Sequence, residues 1–116
     1  MILRINLGME NAEGCGLDYL NLVALLNLSI GGVGSVTSAC SKLSDGGDWE
    51  PENILIAEIR TNAVSIKELN KRLESLALVL NEDSIAVSVL GDEGYLVFNP
   101  NYTGEKYDFN IDYFTE

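Results

Sequence analysis

The sequence predicts an α+β fold: a two-layer sandwich of the ferredoxin-like type. Its split βαββαβ core would form an antiparallel sheet with two helices on one face, extended by additional C-terminal strands. Short segments with alternating apolar residues indicate strands, and two longer segments have helical spacing. These segments follow one another in the order β-α-β-β-α-β-β. The 116 residues contain no repeat or linker, so we expect a single domain over 1–116.

The first half of the chain predicts a strand, a helix and a second strand. Alternation in 2–7 places Leu3, Ile5 and Leu7 on one side of a strand. The Leu-rich segment that follows predicts a well-buried helix, with Asp18 as its N-cap and a Gly pair ending it. The predicted elements are a strand over 2–7, a loop over 8–16, a helix over 17–29, a strand over 33–42 and a loop over 44–53.

The second half contains the clearest helical pattern. Its apolar residues form one stripe from Ile66 to Leu80, and Ser65 with Glu68 forms a capping box. We also expect Val64 to pack on Leu69 as a hydrophobic staple. The predicted elements are strands over 54–61 and 84–90, a helix over 65–80, a turn over 91–94, a strand over 95–99 and a last alternation over 107–113.

The charge balance excludes one class of function. The chain has 18 acidic and 7 basic residues, a net charge of −11, and no His. Direct binding to nucleic acid or to an anionic membrane requires basic surface, so neither is expected. Without His the chain lacks the usual neutral-pH base and the commonest metal ligand. We therefore expect no enzyme activity, no cofactor and no metal site.

The acidic residues are unevenly distributed. Residues 1–52 carry a net charge of −5, residues 53–81 carry +1 and residues 82–116 carry −7. The only Trp lies in the first acidic segment, and aromatic residues alternate with acids near the C-terminus. Acids beside aromatics suit a basic partner, because aromatic rings add contact area and cation–π faces for Arg. The predicted partner-binding residues are Asp45, Asp48, Trp49, Glu50, Glu52, Asp92, Glu93, Tyr107, Asp108 and Asp112.

Each of these patterns also has a structural interpretation. Trp49 could instead fold over a sheet edge, and acids on an edge strand also prevent edge-to-edge pairing. Whether the acidic loop at 45–52 binds a cation stays open, because its spacing does not match an EF-hand. The glycines from Gly31 to Gly34 follow a helix and open a strand, which favours helix termination over nucleotide binding.

The two cysteines have no metal-binding spacing. Cys15 and Cys40 are 25 residues apart, and no signal peptide or membrane span is evident, so a cytoplasmic protein with two free thiols is expected. A disulfide between them stays open. Cys40 falls in a predicted strand and is expected in the core.

Two classes of function remain. The first is a binding or inhibitory module that presents its acidic surface to a basic protein, such as a nucleic-acid-handling complex. In size and acidity alone the chain resembles nucleic-acid-mimic inhibitors of phages and mobile elements, including anti-CRISPR and anti-restriction proteins. The alternative is a ferredoxin-like regulatory, immunity or assembly subunit that acts through contacts with its own or another chain, for example as a homodimer.

Overall fold

A computed structural model describes residues 1–44, 52–89 and 93–106. The strands are β1 (Ile2–Gly8), β2 (Val36–Ser44), β3 (Glu52–Arg60), β4 (Ser84–Val89) and β5 (Tyr95–Phe98). The helices are α1 (Glu10–Gly14), α2 (Tyr19–Leu26), which continues as a π-helical segment (Asn27–Gly31), and α3 (Ile66–Leu80). The alternation predicted over 107–113 lies outside the described residues.

The strands form one antiparallel sheet in the order β2-β3-β1-β4-β5. β1 lies between β3 and β4, and each βαβ unit encloses one strand of the other, which is the ferredoxin-like arrangement. The predicted fold class is therefore confirmed. β5 pairs with β4 as a hairpin and adds the expected further strand at the edge.

One face of the sheet is covered by the helices. Its residues on β1 are Leu3, Ile5 and Leu7, which are almost completely buried. α2 with its π-helical segment lies against β2 and β3, and α3 lies against β4 and β5. A two-layer sandwich buries only this face, so the other face of the sheet is available for polar side chains.

α3 forms where the apolar stripe predicted it, but its start differs in detail. The Ser65 hydroxyl accepts a hydrogen bond from the Glu68 N–H at 3.1 Å, which confirms the cap. The Glu68 carboxylate accepts from the Val64 N–H at 2.9 Å, one residue before the N-cap. Val64 is 89% exposed, so the predicted staple on Leu69 is wrong. The chain leaves β3 in a direction that points the Val64 side chain into solvent.

Glu68→Gln is expected to destabilise the fold at neutral pH and to matter less in acid. The hydrogen bond from Val64 N–H, followed by that from Arg72, lowers the pKa of Glu68 below its ordinary value of 4.5. A carboxylate whose pKa falls on folding stabilises the native state above its unfolded pKa, and this contribution is lost as pH falls through the folded value. Denaturant unfolding of both proteins across this range measures the effect. A stability difference equally large at neutral and acid pH would contradict the prediction, and Glu10→Gln on the exposed α1 is the control.

α2 is less buried than its sequence predicts. Asp18 caps it as expected, accepting from the Asn21 N–H at 2.9 Å. Only one stripe of the helix faces the core, and Leu20 and Leu28 are 73% and 71% exposed. The prediction of a helix buried around most of its circumference is wrong, because a helix in a two-layer fold has one covered side.

Two further expectations for the first half are corrected. Residues 10–14 form the short helix α1 inside the predicted loop, with Ala12 buried against the core. Cys40 is exposed, since it lies on the face of β2 opposite Ala39 and away from the helices. Cys15 is also exposed, and both cysteines are free thiols.

Candidate functional site

The structure places few of the predicted partner-binding residues. Eight of them lie outside the described residues: Asp45, Asp48, Trp49, Glu50, Asp92, Tyr107, Asp108 and Asp112. Glu52 is the first residue of β3, and Glu93 is exposed just before β5. β3 begins opposite the end of β2, whereas β5 begins opposite the end of β4, beside the start of β1. Glu52 and Glu93 therefore lie at opposite ends of the sheet and are not brought together.

A row of polar side chains crosses the open face, the face of the sheet opposite the helices. Arg4 on β1 lies opposite Glu58 on β3, and the two form an ion pair at 2.9 Å between Nη2 and Oε1. Ser88 lies opposite Arg4 on the other side, and Ser38 lies opposite Glu58. The polar row Ser38–Glu58–Arg4–Ser88 thus spans four neighbouring strands. The side chains of Arg4 and Glu58 are 38% and 40% exposed, so both are accessible to a ligand.

The next row along the strands is mostly apolar. Asn6 lies at its centre and is buried, with Ile56 opposite on β3 and Ala86 opposite on β4. Leu96 extends this row on β5. A charged pair beside an apolar row gives the open face an amphipathic character, which suits a ligand that has a charged group and an apolar body.

Aromatic side chains lie on the open face at its β5 edge. The rings of Phe98 and Tyr102 stack with centroids 5.1 Å apart. Lys106 Nζ lies 5.4 Å from the centroid of Phe98, at cation–π distance. The Tyr102 hydroxyl donates to the Glu105 carbonyl oxygen at 2.7 Å. The chain after β5 therefore turns back so that Tyr102 packs against the ring of Phe98.

A second polar cluster holds the π-helical segment to β3 and α3. The Ile30 carbonyl oxygen accepts from Thr61 Oγ1 at 2.7 Å and from Arg72 Nη1 at 2.8 Å. Thr61 Oγ1 also accepts from the Ala63 N–H, and Arg72 also donates to Asn62 Oδ1. Thr61 is buried, and these bonds satisfy its hydroxyl and the carbonyl. This cluster is structural, because its polar atoms are directed at the backbone.

Tyr95 joins β5 to α3. Its hydroxyl donates to Asn70 Oδ1 at 2.9 Å, and burial raises the pKa of Tyr95. Tyr95 therefore stays a neutral phenol and serves packing. Within 1–44, 52–89 and 93–106, no cluster of acids and cysteines is arranged to hold a metal ion. Among those same residues, no helix has the length and apolarity to cross a membrane.

Sequence reasoning did not select Arg4 or Glu58. Each lies on the side of its strand that faces away from the core, a position usually assigned to solvent. The pairing of β1 with β3, which lie about fifty residues apart in sequence, is what places them together. Strand register is a long-range property, so the local pattern carried only the signal that both residues share the polar side.

No model of a known protein family matches this chain, and no curated protein sequence matches it. Its fold is similar to a solved structure described as a phage SAM lyase in complex with S-methyl-5'-thioadenosine, with a TM-score of 0.54 and 14% sequence identity. The match covers 87% of this chain and 91% of that chain. At this identity the likeness shows the fold alone. The likeness nevertheless contradicts the prediction that the chain is not an enzyme. That prediction took acidity and the lack of His as signs of a binding module, whereas the same architecture is found in an enzyme.

Proposed function

We propose that this chain is a lyase that cleaves a sulfonium substrate of the S-adenosylmethionine class and releases a methylthioadenosine-type thioether. The observation that carries the proposal is the fold match to a phage SAM lyase over most of both chains. A further support is the net charge of −11, since such a substrate carries a sulfonium and an ammonium group. An acidic protein attracts a cationic ligand and raises its local concentration.

The chemistry of a sulfonium explains why an enzyme of this class needs no His. When its carbon–sulfur bond breaks, the electron pair returns to sulfur and the leaving group is a neutral thioether that needs no proton. The carbon then either bonds to the substrate's own carboxylate oxygen, which closes a lactone, or forms a double bond to the adjacent carbon, which gives its proton to a base. Ring closure transfers no proton, so the absence of His is no obstacle to that route, whereas elimination would need a carboxylate as the base.

The open face offers groups suited to such a substrate. Glu58 is a counter-ion for the substrate ammonium, and Arg4 orients Glu58 through their 2.9 Å contact. Ile56 and Leu96 provide apolar surface in the adjacent row. If the substrate carboxylate attacks the carbon bonded to sulfur, the negative charge of the carboxylate and the positive charge of the sulfonium both decrease in the transition state. An apolar surface therefore disfavours the charged ground state more than the transition state, which raises the rate. The rest of the rate enhancement comes from holding the carboxylate and the carbon–sulfur bond in the geometry in which they react.

The test is conversion of S-adenosylmethionine by the purified chain, followed by mass spectrometry of methylthioadenosine and of the four-carbon product. We expect methylthioadenosine to form in proportion to enzyme concentration, above the spontaneous rate measured with heat-treated protein. The lactone from ring closure and the alkene from elimination are isomers of equal mass, so chromatographic comparison with authentic standards distinguishes the two routes. If product forms only at the spontaneous rate over the whole concentration range, the proposal is wrong.

The rate of the Glu58→Gln variant tests whether the reaction takes place on the open face. Losing one charge-assisted contact is expected to lower the rate by roughly tenfold or more. Arg4→Gln is expected to lower it less, because Arg4 acts through Glu58. Glu10→Gln removes the same charge from the exposed α1 and should retain the wild-type rate. If the wild-type chain is active and Glu58→Gln retains the same rate as Glu10→Gln, the lyase activity is supported but its location on the open face is wrong.

A second candidate function rests on the same charge. The acidic surface would bind a basic protein, such as a nucleic-acid-handling complex, in addition to any catalytic role. Glu10, Glu13 and Asp83 are exposed acids that favour it. Low-salt affinity capture with salt elution tests it: the bound protein should be basic, and its nucleic acid should compete with the chain. Binding that resists both salt and competitor would contradict this function.

A further inference from the structure

The exposed apolar side chains of the described residues include a group at the end of the sheet where β1 begins. The Thr61 N–H donates to the Met1 carbonyl oxygen at 3.0 Å, and the Arg60 N–H donates to the Ser35 carbonyl oxygen at 2.9 Å. These bonds bring together the start of β1, the end of β3 and the turn before β2. Val33 in that turn is 93% exposed and Val64 is 89% exposed. Two valines so exposed at one end form a surface that gains stability when covered.

The turn that carries Val33 is built to project it. Gly32 and Gly34 flank Val33, and both have positive φ angles of 94° and 78°. Glycine adopts this left-handed region at little cost, so the backbone bends sharply on either side of Val33. The apolar residue stands at the tip of a tight turn rather than in a loop that folds back on the core.

Basic side chains lie at the same end of the sheet as these valines. We define the basic end as Met1, Val33, Arg60, Val64, Ile66 and Lys67. Its side-chain cations are Arg60 and Lys67, both of which are exposed. Glu68 beside them is paired with Arg72 at 2.7 Å, and Glu93 is an acid at the same end of the sheet, on its β4–β5 side. Among the described residues at this end, the cations Arg60 and Lys67 outnumber the acid Glu93, in a chain whose net charge is −11.

Among the described residues, acids predominate at the opposite end of the sheet. Asn11 Nδ2 donates to the Asn81 carbonyl oxygen at 2.8 Å, which joins α1 to the end of α3. We define the acidic end as Glu10, Glu13, Leu43, Val79, Glu82 and Asp83. Leu43 and Val79 are 67% and 66% exposed. This end thus combines acids with exposed apolar residues, as the basic end combines cations with them.

We propose that copies of this chain associate head to tail, with the basic end of one copy bound to the acidic end of the next. Charge and apolar surface are both complementary between the two ends, whereas a two-fold contact through a single end would place like charges together. A head-to-tail contact leaves one basic and one acidic end unoccupied in a dimer, so it continues into a ring or an open chain. The proposal is independent of the lyase activity.

Sedimentation velocity at about 0.05 M and about 0.5 M salt gives the first test, because screening weakens contacts between exposed charges. At low salt the mass should rise above the 12.6 kDa of one chain as protein concentration increases. At high salt it should fall towards that value. A chain that stays at 12.6 kDa over the whole concentration range at low salt would overturn the proposal.

Two double variants distinguish head-to-tail association from a two-fold contact. Val33→Asp with Val64→Asp breaks the basic end, and Glu13→Lys with Asp83→Lys breaks the acidic end. All four side chains are exposed, so both variants should fold, which circular dichroism and thermal unfolding verify. Each variant alone should sediment as a monomer, since its one intact end has no matching end to bind.

An equal mixture of the two variants should form dimers and nothing larger. The basic-end variant keeps its acidic end and the acidic-end variant keeps its basic end, so each mixed pair makes a single contact and stops. A two-fold contact through either end would instead leave one variant self-associating on its own. That result, or a mixture that stays monomeric while the wild type associates, would overturn head-to-tail binding.

Discussion

Leu73→Ala is expected to lower the free energy of unfolding by about 2–5 kcal/mol, the range for truncating a fully buried leucine. Leu73 is 0% exposed in the middle of α3, within the cluster between the helices and the sheet. Removing its branched carbon atoms loses apolar burial and leaves a cavity that the sheet and helices cannot close without moving. In a domain of this size, such a loss is a large share of total stability.

Leu78→Ala is the matched control for this prediction. It is the same substitution in the same helix, but Leu78 is 48% exposed. Its expected cost is within about 1 kcal/mol, because little buried area is lost and Ala is a better helix former. Urea unfolding of the three proteins measures both effects. Equal costs at the two positions would show that Leu73 does not lie in the core as described.

Gly31→Ala is expected to destabilise the fold by about 1–3 kcal/mol or more, through overpacking rather than through loss of contacts. A Cβ at Gly31 would overlap the Arg60 carbonyl oxygen and lie 2.5 Å from Ser35 Oγ. The carbonyl belongs to β3 and the serine precedes β2, so relief requires the π-helical segment to move away from the sheet. Such a shift strains the hydrogen bonds that the Ile30 carbonyl accepts from Thr61 and Arg72.

Gly14→Ala controls for the backbone effect of replacing a glycine. Gly14 ends α1 without a positive φ angle, and a Cβ there has no atom within 4 Å. The replacement should leave stability unchanged or raise it slightly, since it reduces the freedom of the unfolded chain. Thermal unfolding of both variants checks the pair. A Gly31→Ala protein as stable as Gly14→Ala would contradict the close packing of the π-helical segment on β3.

Local patterns along the chain were sufficient for most of the secondary structure. The alternation in β1 and the single apolar stripe in α3 each report which side of an element is buried, and the structure confirms both. α1 was missed because five residues are too few to show helical periodicity. Ser65 and Asp18 were recognised as N-caps because capping depends on residues within one turn.

The candidate site was much less predictable. The acids and aromatics chosen from composition fall mostly outside the described residues, and Glu52 and Glu93 lie at opposite ends of the sheet. Arg4 and Glu58 become neighbours only because β1 pairs with β3 in one register. The absence of His argued against catalysis in general, yet it does not bear on a reaction whose leaving group needs no proton.

The sequence by itself determined the order of the strands and of the two longer helices, the ferredoxin-like core and the sign of the charge, because these depend on short-range periodicity and on composition. Only the tertiary structure decided which polar residues meet on the open face, that Leu20 and Cys40 are exposed, and that Arg60 and Lys67 lie at the end of the sheet opposite Glu10, Glu13 and Asp83. The physical reason is that strand register and the side of the sheet on which helices pack are set by contacts between distant segments. Composition gives the net charge of −11, whereas those contacts decide where on the molecule each charged side chain lies.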